Sequence, residues 1–165
     1  MKNVFTLFTA SLLLSLSLST HAADVLTHKS IGLDLARDIA MEAVKACRKD
    51  GYHVSAVVVD RHGNLRASLR DDIASVYTLQ IAQEKANIVI MTGVPSTQFR
   101  EARSDIRPEL NHIDGIIVME GGLPIDSGGY RIGAVGVSGA PGGEKDEACA
   151  ARALEAMTER LEFAE

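Results

Sequence analysis

Residues 115–143 run Gly115-Ile-Ile-Val-Met-Glu120-Gly-Gly-Leu-Pro-Ile-Asp126-Ser-Gly-Gly-Tyr130-Arg-Ile-Gly-Ala-Val-Gly136-Val-Ser138-Gly-Ala-Pro-Gly-Gly143. This stretch decides the fold. Gly115 to Glu120 is short, β-branched and apolar, and reads as a strand. Gly121-Gly122 turns the chain into a second extended piece, Leu123 to Asp126. Ser127-Gly128-Gly129 is a hairpin turn into Tyr130 to Ser138. Ala140 to Gly143 then opens a final helix that runs to about Phe163. Strands joined by tight turns pair antiparallel.

The same grammar extends toward the N-terminus. His53 to Asp60 (HVSAVVVD) is apolar on both faces, as a central strand covered on both sides should be. Arg61-His62-Gly63-Asn64 turns it into Leu65 to Arg70, which makes a hairpin. Apolar residues at helical spacing predict a helix capped by Ser30 and ending near Lys49, through Ile39, Ala43 and Cys47. A second helix follows over Ala74 to Met91, and a short one over Ser96 to Arg103. Ser104 to Gly115 is polar, carries Pro108 and reads as a loop. These elements predict an α/β (α+β) fold in three layers: a five-stranded antiparallel sheet with helices on both faces.

The chain has 165 residues, 17 Lys+Arg against 22 Asp+Glu, and a net charge of −5. A negative chain lacks the basic face that nucleic acid requires. With no Trp, it also lacks the rings for base-stacking platforms. Residues 1–22 have the make-up of a signal peptide. Lys2 supplies the positive start, Val4 to Leu18 the apolar run, and Thr20 and Ala22 the small residues before cleavage. The run is too short and too rich in Ser for a membrane anchor. The expectation is one domain over residues 23–165, periplasmic or secreted. Tyr52, Tyr77, Phe99, Tyr130 and Phe163 are its only aromatic residues. Cys47 falls near the end of the first helix and Cys149 near the start of the last. They are either a disulfide, which export would permit, or two buried thiols. Neither belongs to a CxxC pair, so a thioredoxin-like or zinc-knuckle motif is unsupported.

Several residues carry chemistry. Glycine recurs at Gly133, Gly136 and Gly139, in the wrong context for a dinucleotide fingerprint. Alternation places Ala134, Gly136 and Ser138 on one face, where another backbone can approach closely. Ser138 sits in GVSGA, but no His follows it, as a hydrolase elbow would require. No two histidines stand at i, i+3 or i, i+4 on a helix, so no zinc motif is visible. His112 and His62 lie in loops that could border a cleft and are the stronger imidazole candidates. Arg70, at the end of the second strand, and Lys85, on the helix after it, are cations able to hold a carboxylate.

Taken together, these segments resemble the GlcG/HbpS-type haem-binding family, which also supplies the C-terminal domain of some corrinoid adenosyltransferases. The matching residues are Val57-Val58-Val59-Asp60, Gly63, Arg70, Asp72, Ser75, Ala82, Lys85-Ala86 and Pro95-Ser96-Thr97. The most specific are Glu120-Gly121-Gly122-Leu123-Pro124-Ile125 and Ile132-Gly133-Ala134-Val135-Gly136-Val137-Ser138-Gly139, with Asp146 opening the last helix. The resemblance spans about residues 30–160. It implies a profilin- or roadblock-like α-β-α fold, a tendency to form homo-oligomers and haem binding, in some members with slow haem degradation or iron release.

The resulting expectation is an exported protein that sequesters or buffers haem or another tetrapyrrole. His112 is the candidate axial ligand to the metal, and Arg70 or Lys85 the candidate propionate anchor. Two rivals follow from the same residues. One is an enzyme acting on a small organic acid or tetrapyrrole, with Glu120 and Lys85 moving protons. The other is a ligand-free oligomeric accessory protein. Few aromatics remain, so a haem would rest on aliphatic and backbone surface rather than on stacked rings.

Overall fold

A computed structural model describes residues 25–163; the expected signal segment lies outside them. The elements, in chain order, are α1 (Leu33–Lys49), β1 (Ser55–Asp60), β2 (Leu65–Arg70), α2 (Tyr77–Thr92), α3 (Ser96–Ala102), α4 (Arg107–Leu110), β3 (Gly122–Ser127), β4 (Tyr130–Ser138), α5 (Gly143–Ala156) and α6 (Thr158–Glu162). The sheet is antiparallel in the order β2-β1-β4-β3. It has four strands, not the five expected. The missing one is Gly115 to Glu120, which forms no strand. Its apolar residues serve packing: Val118 is buried against α2, and its backbone N–H donates to the Asn111 side chain at 3.1 Å. An apolar run alone cannot distinguish a strand from an extended buried connection.

Three further differences concern the helices. The loop over 104–115 contains the short helix α4, with Pro108 in its first turn, where a missing N–H does no harm. The last helix breaks at Met157 into α5 and α6. The first helix begins after Gly32 rather than Ser30, because Ile31 is drawn down onto β4, its N–H bonded to the Ile132 carbonyl at 3.0 Å.

The expected three layers are present. Alternate residues of β1 enter different cores. Ala56 and Val58 meet α1 and α5 on one face, while Val57 and Val59 meet α2 on the other. All six residues of β1 are buried, as a central strand covered on both sides requires. The α2 side is packed unusually closely. Gly122 and Gly136 are register partners on β3 and β4. A Cβ on Gly136 would lie 1.9 Å from the Ala82 carbonyl oxygen, and one on Gly122 would lie 2.2 Å from that of Lys85. The backbone of α2 therefore rests directly on a floor of two glycines. On the opposite face a Cys47–Cys149 disulfide joins α1 to α5 across a sequence separation of 102 residues.

Candidate functional site

The four site residues singled out from the sequence do not share one cleft. Lys85 is 1% exposed. Its Nζ donates to Asp146 Oδ2 at 2.8 Å and to the Val137 carbonyl at 3.0 Å. Asp146 Oδ1 in turn accepts the Ala140 N–H at 2.9 Å. Burial pushes the Asp146 carboxyl above its ordinary value, and the neighbouring Lys85 ammonium opposes that rise. Gly121, at φ +115°, passes so close that a Cβ there would meet Lys85 Nζ at 3.0 Å and Asp146 Cβ at 2.9 Å. The pair is a closed internal tie between α2 and α5. An outside propionate would have to displace Asp146 to reach it.

Glu120 lies half-buried at the entrance to β3, paired with Arg100 of α3 at 2.5 Å. It borders a small cavity of about 290 Å³ with Met119, Gly143 and Glu144. Nearby, Glu147 accepts from the Thr97 hydroxyl and from the Gly121 N–H, while Ser96 Oγ accepts the Gly122 N–H at 2.9 Å. Lys85 is enclosed, so it and Glu120 do not face a shared substrate. Arg70 is exposed and donates to the Ala74 carbonyl at 2.5 Å. His112 is exposed in the turn after α4.

The cavity of interest lies elsewhere. A space of about 760 Å³ opens between the segment leading into α1 and the end of α6. Ile31, Leu35 and Ile132 form an apolar floor, and Phe163 projects at one side. His28, Lys29 and Arg160 supply an imidazole and two cations around it, and Ser127 and Glu159 complete the polar lining. The walls are tied down on both sides. Ser127 Oγ donates to the Leu161 carbonyl at 2.6 Å, and Arg160 pairs with Asp38 of α1 at 2.5 Å. On the other side, the Lys29 ammonium sits 5.3 Å from the centre of the Tyr130 ring. Both volume and lining suit a ligand that is mostly apolar and carries negative groups at its edge.

Sequence reasoning missed this cavity because residues 23–29 carry no helical or alternating pattern and residues 158–163 read as the tail of the last helix. The available signals were the apolar Ile31 beside two basic side chains and the isolated Phe163. His62, the second loop histidine singled out, stands against His28, with ring centres 5.4 Å apart. No described helix is long and apolar enough to cross a membrane.

Comparison with known proteins adds the following. The family described as haem degrading protein, HbpS-like, matches residues 31–155. The Escherichia coli K12 protein GlcG is 30% identical over 104 residues, which is 63% of this chain and 78% of GlcG. A double mutant of Streptomyces reticuli HbpS has a crystal structure that superposes with a TM-score of 0.76 at 31% identity, covering 84% of this chain and 94% of HbpS. PduOC, crystallised as a heme complex, shares the fold with a TM-score of 0.67 at 22% identity over 77% of this chain and 94% of PduOC.

Proposed function

Because this chain belongs to the HbpS-like family, we propose that it is an exported haem-binding protein that sequesters or buffers haem. The observation that carries the proposal is the 760 Å³ cavity and its lining. A porphyrin is a flat apolar disc with two carboxylates on one edge. Ile31, Leu35 and Ile132 offer the apolar surface, Lys29 and Arg160 the carboxylate partners, and His28 an imidazole for the iron. When bound, haem supplies its own iron chemistry. The chain's part is to enclose one face, orient the propionates and exclude water from the apolar floor.

Three further observations support this reading. PduOC, of the same fold, is known as a heme complex. The Cys47–Cys149 disulfide suits an oxidising compartment outside the cytoplasm. The exposed apolar residues Ile73, Val76 and Tyr77, beside the edge strand β2, suit self-association.

The test is a haem titration followed at the Soret band. The wild-type protein is expected to give a shifted, saturable band. His28→Ala should alter the band and weaken binding, while His112→Ala should leave it unchanged. A wild-type protein with no shifted band would sink the haem reading. A band lost in His112→Ala and kept in His28→Ala would return the ligand role to the loop.

A further inference from the structure

Beside the cavity, two exposed histidines meet. His28 and His62 come from different parts of the chain, and their ring centres lie 5.4 Å apart with planes at 77°. Two imidazoles that share one tetrahedral ion, each with a metal–nitrogen distance of about 2.0–2.1 Å, hold their ring centres about 5 Å apart. The observed separation is thus close to that of a shared ion.

The two rings come from differently held segments. His62 sits in the β1–β2 turn, where its N–H donates to Asp60 Oδ1 at 2.8 Å and Asn64 closes the turn onto the same carboxylate. His28 lies three residues before Ile31, which is 2% exposed and bonded to β4. Lys29, next to His28 in the chain, lies over the Tyr130 ring, and Arg61 precedes His62. The Asp60 carboxylate accepts the His62 backbone N–H, not its ring, and adds negative charge to the turn.

We propose that His28 and His62 form a two-imidazole binding site for a divalent, imidazole-preferring transition-metal ion of the zinc or copper type. Among the described residues, no three His, Cys, Asp or Glu side chains converge on a metal position. Water therefore completes the coordination, and the site is open and exchangeable rather than structural. Protons compete with the ion for the ring nitrogens, so binding weakens in acid.

Zn²⁺ calorimetry on the haem-free protein, with any polyhistidine tag removed, tests the site. One ion should bind per chain. His28→Ala and His62→Ala should each weaken binding roughly tenfold or more, since even the loss of an outer partner costs a metal site that much. The double variant, with neither imidazole, should bind no better than the weaker single one. His112→Ala should bind like wild type. Cu²⁺ electron paramagnetic resonance should show two nitrogen donors in the wild type and one in either single variant. Both substitutions are at exposed positions, and unchanged melting curves would show that the fold is intact. Wild-type Zn²⁺ affinity in both single variants, or no Zn²⁺ binding at all, would reduce the pair to an edge-on ring contact and overturn the proposal. The haem reading is judged separately by the Soret band, so either can fail alone.

Discussion

Asp71 shows how much a single residue can carry. It follows the exposed end of β2, yet its side chain is only 2% exposed. Arg48 of α1 donates to both of its oxygens, at 2.8 and 2.5 Å, and His53 lies 3.1 Å away. The Arg48 guanidinium holds the Asp71 carboxyl far below the usual carboxylate range against the opposing effect of burial, and the Asp72 N–H and His53 assist. A carboxyl depressed in the folded state stabilises the fold above its unfolded value of about 3.9 and loses that contribution as pH falls toward the folded value. Denaturation midpoints followed from pH 7 to pH 3 should therefore drop more steeply for the wild type than for Asp71→Asn. Parallel curves for the two proteins would show that Asp71 is not the acid-sensitive group. From sequence, Asp71 reads as one of a run of surface charges, because burial by a helix 23 residues upstream leaves no mark in the local pattern. Lys85 and Asp146 hid each other in the same way. Each alone suggests a ligand or a helix-dipole partner, and only the packing of α2 against α5 joins them.

At the scale of elements, the sequence was most informative where periodicity and small residues act together. β4 matches its expected bounds, as does β2, and β1 starts two residues late. Glycines spaced every third residue predicted a close backbone approach, and α2 makes it at Gly136, while Val59 and His53 carbonyls make it at Gly133 and Gly139. Here a test follows directly. Gly136→Ala would push a methyl into the Ala82 carbonyl, a contact that cannot relax by a side-chain rotation. It should destabilise the protein by about 2–3 kcal/mol or more, as overpacking does. Urea denaturation measures this. A loss below about 0.5 kcal/mol would mean that α2 rides further from the sheet than described. Gly32→Ala, with nothing within 4 Å of its Cβ, is the matching control. The expected strand over 115–120 is instead an irregular connection that buries Val118 against α2, a packing that no local pattern reveals.

Across the whole molecule, the disulfide is the long-range link. Sequence alone left Cys47 and Cys149 open between two thiols and one bond. The packing of α1 against α5, supported by the Arg152–Asp50 pair at 2.5 Å, brings them together. A bond closing about 100 residues restricts the unfolded chain by roughly 4–5 kcal/mol in the loop-entropy account. Reduction, or Cys47→Ala with Cys149→Ala, should lower the melting temperature by roughly 10–20 °C in a chain of this size. Calorimetry with and without reductant checks this. Coincident melting curves would place the stability in the two cores instead.

The cavity at the termini has a consequence for biogenesis. Its walls come from residues 28–35 and from residues 159–163, segments separated by nearly the whole fold. No ligand can be captured there by a nascent chain until the second of these has been synthesised and has docked against the first. Occupancy would then report on completed folding. A fusion or truncation at either end of the domain would alter the lining of this cavity.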